Sequence, residues 1–206
     1  MTNMTTQKKY ELLQNDTINH NGRTLYRIKA ITTFGTVFAG TLGGYIEKES
    51  NLKHLGNAWV YDNAKVYDSA KVYDSAEVYG NAEVWGSAEV YGNAKVWGNA
   101  EVWGSAEVYG NAKVYDSAEV WGSAKVRSFA VLSERKMIFW ASNVGTENGT
   151  LTVYNGKDGL LVTRGCFTGT VEEFLAKSDE VHDEKTKREY QLLIEVAKSR
   201  ILGEAT

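Results

Sequence analysis

Apolar and polar residues follow a six-residue unit that repeats twelve times without a gap between residues 58 and 129. The unit reads Ala-x-Val-aromatic-Gly/Asp-Asn/Ser, and only the last copy departs from it, at Arg127, Ser128 and Phe129. A period of six matches neither the roughly 3.5-residue repeat of coiled coils nor the roughly 3.6-residue turn of an α-helix. Because side chains alternate along a strand, the pattern predicts short strands with Ala and Val on one face. The Gly/Asp-Asn/Ser pairs predict a corner after each strand.

A second period of eighteen residues lies over the first. Residues 78–95 and 96–113 are identical except for Tyr79 and Trp97. Eighteen residues make three strands and three corners, so each coil is a triangle and successive coils stack in parallel. The predicted fold is therefore mainly β, a triangular parallel β-helix. The chain contains no proline, which suits a fold in which almost every strand needs its amide donors.

The repeat resembles the hexapeptide repeat of left-handed parallel β-helices, the superfamily of many acyltransferases and γ-class carbonic anhydrases. Its inward Val and the small Ala two residues earlier match that pattern in all twelve units. The resemblance implies a left-handed coil and a trimeric assembly. The flanking sequences Gly-Gly-Tyr-Ile-Glu-Lys-Glu at 43–49, Cys-Phe-Thr-Gly-Thr at 166–170 and Glu-Glu-Phe at 172–174 resemble those of uncharacterised hexapeptide-repeat proteins encoded by phages and prophages.

The chain divides into three predicted regions. Residues 1–36 form an N-terminal β-hairpin cap, because Asn21-Gly22 is a strong turn signal between alternating apolar positions. The β-helix covers residues 37–135, with regular hexads at 58–129 and imperfect coils before them. The expected inward residues of the imperfect coils are Val37, Ala39, Leu42, Ile46 and Leu52. Gly43-Gly44 predicts a tight bend or a close backbone approach.

Residues 136–206 are predicted to form β-strands followed by α-helices. Strands are expected at 137–140, 151–154 and 160–163, with turns at Asn148-Gly149 and Asn155-Gly156. Thr170 and Glu173 form a capping-box signature for a short helix to about residue 177, and Asp183 is the predicted N-cap of a second helix. The apolar stripe of the second helix is expected to dock on this molecule or on a neighbouring subunit. The stripe contains Tyr190, Leu193, Ile194, Ala197 and Ile201.

Composition narrows the classes of function. The 23 basic and 26 acidic residues give a net charge of −3, so no general attraction to nucleic acid or to anionic membranes is expected. A single cysteine cannot form an intrachain disulfide, and neither a signal peptide nor a long apolar run is recognisable. We expect a protein of the cytoplasm of a bacterial host, without a membrane partner.

Outward residues that are eighteen positions apart lie on the same side of the triangle, so they form three faces. Each face has a column of aromatic rings that we expect to stack at a spacing of about 4.8 Å. What we call the second face combines a glutamate column with a tryptophan column. Its residues are Glu83, Trp85, Glu101, Trp103, Glu119 and Trp121. Stacked like charges are unfavourable unless a basic partner, a cation or a neighbouring subunit's lysines neutralise them. We therefore predict that the second face is a protein interface, and stacking that stiffens the array is the alternative explanation.

The superfamily's enzymes supply the alternative function. The resemblance implies that a hexapeptide acyltransferase uses a histidine as general base, with acyl-CoA bound between adjacent β-helices. Of the three histidines, His20, His54 and His182, His54 is the best placed, one hexad before Val60. A histidine at the end of the array with a satisfied hydrogen bond is the competing interpretation. A zinc site of the γ-carbonic anhydrase type needs three converging histidines, and these three lie in separate regions, so no metal is expected.

Two further features carry weaker chemical signals. Cys166 is expected to be a buried small hydrophobe and not a nucleophile, since no histidine lies near it in the sequence. The only local cluster of positive charge that could attract an anion consists of Lys185, Lys187 and Arg188. The alternative interpretation of this cluster is a solvated helix face.

These observations predict a non-enzymatic binding or scaffold protein of phage or prophage type that assembles as an oligomer, with a trimer favoured by the resemblance. Its partner is expected to be a host protein, such as a defence component, or a small anionic ligand such as a signalling nucleotide held between subunits. No cofactor is expected. The alternative is an acyl-CoA-dependent acyltransferase with His54 as general base.

Overall fold

The computed structural model describes residues 7–203, which begin with an antiparallel hairpin and a third strand. These strands are β1 (Tyr10–His20), β2 (Arg23–Ala30) and β3 (Leu42–Ile46), followed by a 3-10 turn at Glu49–Asn51. β1 and β2 pair around Asn21 and Gly22, which both have positive φ, so the predicted hairpin turn is confirmed. Residues 1–6 and 204–206, at the outer ends of the first and third predicted regions, lie outside the described residues.

Each hexad contributes one two-residue strand, made of an outward residue and the inward valine. In chain order the strands are β4 (Trp59–Val60), β5 (Lys65–Val66), β6 (Lys71–Val72), β7 (Glu77–Val78), β8 (Glu83–Val84), β9 (Glu89–Val90), β10 (Lys95–Val96), β11 (Glu101–Val102), β12 (Glu107–Val108), β13 (Lys113–Val114), β14 (Glu119–Val120) and β15 (Lys125–Val126). One more strand, β16 (Val131–Leu132), continues the rhythm. Strands eighteen residues apart pair in parallel, as β8, β11 and β14 do, so the predicted coil of three strands is confirmed.

The three sides of the triangle are three parallel sheets, one of which the hairpin extends. One sheet runs β4-β7-β10-β13-β16, and a second runs β6-β9-β12-β15. The seven-stranded sheet runs β1-β2-β3-β5-β8-β11-β14 and carries the second face. Because β2 pairs with β3 and β3 pairs with β5, the hairpin adds two antiparallel strands to the N-terminal edge of this face.

The inward columns form the core of the solenoid. All twelve alanines and all twelve valines of the hexads are at most 1% exposed. Burial of each valine contributes about 1.5–3 kcal/mol relative to an exposed side chain, so stability accumulates coil by coil. Small alanines leave room at the corners of the triangle, where the chain turns through residues with positive φ.

The imperfect first coils depart from the prediction in part. Val37, Ile46 and Leu52 are buried as expected, but Ala39 is exposed and Leu42 is 53% exposed, so these two are not inward residues. The predicted close approach at Gly43-Gly44 is confirmed, since a Cβ on either residue would lie 2.5 Å from a backbone carbonyl oxygen. Trp59 takes the outward place between Ala58 and Val60 in its hexad, but it is fully buried because the rings of Tyr10 and Phe34 pack over it.

Side chains form hydrogen bonds with the backbone carbonyls at the N-terminal edge of the solenoid. Inside the array, the carbonyl of each hexad alanine accepts an amide N–H from the preceding coil, as Ala94 does from Glu77. In the first coil, Ala64 accepts from the amide N–H of Tyr45, but β4, which follows Ala58, is the terminal strand of its sheet. The Lys9 ammonium donates instead to the carbonyls of Ala58, at 2.8 Å, and Gly56, at 3.2 Å. The buried Asn51 amide likewise donates to the Ala70 carbonyl at 2.8 Å. These contacts remove free acceptors from an edge that could otherwise pair with another chain.

A four-stranded antiparallel sheet follows the solenoid. Its strands are β17 (Ile138–Val144), β18 (Gly149–Gly156), β19 (Gly159–Arg164) and β20 (Phe167–Thr170), paired in that order. The three predicted strands are confirmed, and β20 was not predicted. The prediction of a turn at Asn155-Gly156 is wrong, because both residues belong to β18 and pair with Leu160 and Gly159. The chain reverses at 157–158 instead.

Strand β18 closes the C-terminal end of the solenoid. Thr152 Oγ1 accepts the amide N–H of Lys125 at 3.1 Å, and Tyr154 Oη accepts that of Arg127 at 3.3 Å. The Tyr154 ring is fully buried in the same core as the hexad valines. With both ends covered, the long sides of the solenoid are its open surfaces.

Two helices complete the described residues. They are α1 (Val171–Val181) and α2 (Glu184–Leu202). The capping box of Thr170 and Glu173 is confirmed, and the Asp183 carboxylate accepts the Thr186 amide N–H as the N-cap of α2. The predicted α2 stripe packs on the C-terminal sheet of this molecule, where Tyr190 and Ile194 are buried. Within residues 7–203, neither helix combines the length and the apolar character needed to cross a bilayer.

Candidate functional site

The tryptophan column of the second face is a continuous stack. The rings of Trp85 and Trp103 are 5.0 Å apart between centroids, those of Trp103 and Trp121 are 5.8 Å apart, and both pairs are nearly parallel. Stacked rings cover one another's faces and present their edges to solvent. The column is therefore half-buried, and only Trp121, at 43%, is exposed.

Neighbouring elements cover both ends of this face. At the N-terminal end, β1 brings Ile18 and His20 onto Tyr67 and Trp85. At the C-terminal end, the Trp140 ring meets Trp121 edge to face at 4.1 Å. Between these two contacts lies the middle of the face, where the Glu101 and Trp103 side chains are half-buried and the neighbouring Trp121 is exposed.

Glu83 and Glu119 are neutralised within the chain. The Glu83 carboxylate accepts hydrogen bonds from Lys65 Nζ at 2.9 Å and from Tyr67 Oη at 3.2 Å, and lies 3.0 Å from His20 Nε2. Burial works to raise the pKa of this carboxyl, but the bond to Lys65 and the charges of Lys65 and His20 hold it below its ordinary range. Glu119 forms an ion pair with Arg135. The expected repulsion is thus relieved at both ends without a second molecule.

Glu101 is different, since no cation or hydroxyl among residues 7–203 pairs with its carboxylate. Burial, followed by the charges of Glu119 and Glu83, raises the pKa of the Glu101 carboxyl, and Arg135 offsets only part of this. Like charges in adjacent strands are unfavourable, and here the middle carboxylate carries that cost.

The sheet of β6, β9, β12 and β15 shows what Glu101 lacks. There Lys71 Nζ is 2.8 Å from the Glu89 carboxylate, and Lys125 Nζ is 2.7 Å from that of Glu107. Tyrosine hydroxyls from the preceding coil also donate to these carboxylates, Tyr91 to Glu107 at 3.0 Å. The residue in the equivalent position before Glu101 is Trp85, whose indole carries no hydroxyl. The sequence shows that tryptophan replaces tyrosine at this position. The loss of a hydroxyl donor to Glu101 follows only from the register of strands in neighbouring coils.

His54 lies in a separate cavity of about 500 Å³ at the N-terminal end of the solenoid. Glu49, Lys53, Tyr73 and Asp74 also line it. The Tyr10 ring packs against the imidazole at 4.4 Å between centroids. Burial lowers the pKa of His54, which the nearby Glu49 carboxylate only partly offsets, so the ring is neutral at pH 7.

The hydrogen bonds of His54 determine which ring nitrogen carries the proton. The backbone N–H of Lys9 donates to Nδ1 at 3.3 Å, so the proton of the neutral ring lies on Nε2. Nε2 is buried, has no hydrogen-bond partner among the described residues, and lies 3.9 Å from the Glu49 carboxylate. A general base needs a free lone pair facing the proton it removes. In this arrangement His54 offers an N–H donor instead.

A comparison with known proteins gives one short match. No model of a protein family matches the chain. A segment of 38 residues is 50% identical to part of the uncharacterized acetyltransferase YdcK of Escherichia coli K-12, and covers 18% of this chain and 12% of that protein. The unbroken hexads and the parallel coils establish the fold, and this short match is consistent with it. The chain is a hexapeptide-repeat solenoid.

The remaining predicted residues of the solenoid protein lie apart from the second face. Lys185, Lys187 and Arg188 are near the start of α2, where Lys187 is paired with Glu184 at 2.8 Å and the other two are exposed. Cys166 is exposed in the turn before β20, so the prediction of a buried thiol is wrong. Within residues 7–203, no three His, Cys, Asp or Glu side chains are placed to hold a metal ion.

Sequence reasoning missed His20 and Arg135 as partners of the glutamate column. Neither carries a local signal, because His20 reaches Glu83 across 63 positions of sequence and Arg135 follows the last hexad. Only the docking of the flanking segments onto the second face brings them there.

Proposed function

We propose that this solenoid is a non-enzymatic binding scaffold that assembles as an oligomer and receives a basic surface of a partner protein on the middle of the second face. The resemblance of its flanks to phage and prophage proteins favours a host protein as that partner. An acidic face repels anions, so a small anionic ligand would have to bind elsewhere on the molecule.

The observation that supports this proposal is the unpaired Glu101 carboxylate beside the Trp103 ring edge. A lysine or arginine side chain could lay its aliphatic stem along the ring edges and place its charge at Glu101. Such a contact would neutralise the repulsion from Glu83 and Glu119. Charge pairing of this kind raises association rates and weakens as salt is added.

Glu101→Gln tests the proposal, with Glu107→Gln as the matched control. Both changes remove one ladder carboxylate and keep its shape, but Glu107 is already paired with Lys125 and Tyr91. We expect Glu101→Gln to weaken self-association or partner capture about tenfold or more, since a charged hydrogen bond is worth about 1.5–3 kcal/mol. Glu107→Gln is expected to leave association unchanged.

The measurements are light scattering for mass and quantitative capture from bacterial lysate at two salt concentrations. Chemical unfolding provides the folding control, and Glu101→Gln is expected to match the wild type or to be slightly more stable, because it removes a repulsive charge. Equal mass and equal capture for the wild type and both variants would refute a role for this face.

The second candidate function, an acyl-CoA-dependent acyltransferase, is favoured by the similarity to the acetyltransferase YdcK. Its test is release of free thiol from acetyl-CoA in the presence of small amines and alcohols. Because Cys166 is exposed and would react with the thiol reagent, the assay uses a Cys166→Ser background. We expect no release above the blank, with or without His54→Ala, because Nε2 carries a proton. Turnover that His54→Ala abolishes would establish the enzyme.

A further inference from the structure

A second cavity, of about 390 Å³, lies between the C-terminal sheet and the two helices. Phe167, Phe174 and Tyr190 line it with aromatic rings, and Val181 adds an aliphatic surface. The volume lies in the range of sites for small molecules, and an aromatic lining suits a planar apolar group. Neither the second face nor the His54 cavity shares a residue with it.

One polar group in this cavity lacks a partner. Ser178 of α1 is 3% exposed, lines the cavity, and its Oγ has no hydrogen-bond partner among the described residues. A buried hydroxyl without a partner is unfavourable and uncommon in folded proteins. Neighbouring atoms cover this hydroxyl, so a ligand atom satisfies it by displacing them and accepting its hydrogen bond.

Basic side chains around the cavity offer hydrogen-bond donors to an anion. Arg164 and Lys177 line it, together with the His182 imidazole and one carboxylate, Glu147. Arg164 donates through Nη2 to the Val144 carbonyl at 3.0 Å, but its buried Nε has no partner within residues 7–203. Lys177 is paired with Glu180 at 2.9 Å. A second unpaired donor therefore belongs to a guanidinium, the group best suited to bind a carboxylate.

From these observations we propose that the cavity binds a small aromatic acid. The aromatic body packs among Phe167, Phe174 and Tyr190, and the acidic group accepts hydrogen bonds from Ser178 and Arg164. Cys166, the single cysteine, lies at the mouth, where its exposed thiol reports on occupancy. This site is independent of the function proposed for the second face.

The test uses 1-naphthoate as the probe and 1-naphthalenemethanol as its neutral analogue, each titrated into the 206-residue chain by calorimetry. We expect one site per chain for naphthoate and binding at least tenfold weaker for the alcohol. Saturating naphthoate is expected to slow the alkylation of Cys166 by iodoacetamide, and mass spectrometry measures the rate of that alkylation. Absence of binding, or equal affinity for acid and alcohol, would overturn the proposal.

Ser178→Ala identifies the hydroxyl, and Ser199→Ala is the control, because Ser199 lies on α2 outside the cavity. Ser178→Ala removes an unpaired group, so the variant is expected to unfold at the wild-type denaturant concentration or higher. Its affinity for naphthoate is expected to fall about tenfold, whereas Ser199→Ala binds like the wild type. An unchanged affinity in a folded Ser178→Ala variant would contradict the assigned contact.

Discussion

Gly104→Val is expected to destabilise the solenoid by about 2–4 kcal/mol, because position 104 combines a left-handed backbone with a close neighbour. Gly104 has φ +72°, a conformation that β-branched residues strongly disfavour. A Cβ at this corner would also lie 3.0 Å from the backbone nitrogen of Gly122 in the next coil. The strain therefore acts on two coils at once.

The chain itself supplies the control, Gly104→Asp. Aspartate occupies equivalent corners at 62, 68, 74 and 116 with φ between 53° and 58°. At two of them its carboxylate accepts the amide N–H of the next coil's glycine, as Asp62 does from Gly80 at 3.1 Å. We expect Gly104→Asp to cost less than about 1 kcal/mol, because aspartate tolerates this conformation and gains that bond.

Urea unfolding followed by circular dichroism measures both variants. A loss for Gly104→Asp as large as that for Gly104→Val would show that space, and not backbone conformation, limits this corner.

Between pH 7 and pH 9.5, the free energy of unfolding is expected to rise by about 2 kcal/mol because of Lys9. Burial lowers the pKa of the Lys9 ammonium to about 8 in the folded chain, against 10.5 in the unfolded chain. Across this window the unfolded state holds more protons than the folded state, so stability increases with pH. Above about pH 10 the trend reverses, because burial raises the pKa of Tyr10, Tyr67, Tyr73 and Tyr91 in the folded state.

Lys9→Met tests this assignment, because methionine keeps much of the length and carries no titrating group. The variant is expected to lose the rise between pH 7 and pH 9.5, whatever its stability at pH 7. Lys113→Met is the control, since Lys113 is exposed on the side of the solenoid. Denaturant titrations at several pH values give the comparison. A rise that survives in Lys9→Met would assign the effect to another group.

Much of the fold follows from the sequence, because each hexad repeats the same local interactions. The inward Ala and Val columns, the corners with positive φ and the pairing of strands eighteen residues apart all follow from one short unit. The capping box at Thr170 and the N-cap at Asp183 were equally predictable, since each depends on residues within one helical turn. The sequence also predicted which residues make up the second face, including the three glutamates in one column.

Contacts between distant segments required the tertiary structure. The pairing of Glu83 with His20 and of Glu119 with Arg135, which leaves Glu101 alone, depends on how the flanking segments dock. The burial of Trp59, the exposure of Cys166 and the cavity around Ser178 arise in the same way. Residues of the repeat contact equivalent residues one coil away, so the period predicts their partners. Residues outside the repeat contact the solenoid only where the flanking segments fold back onto it, and no period predicts those contacts. The sequence alone therefore determined the solenoid, and the tertiary structure decided which of its surface groups remain free to bind.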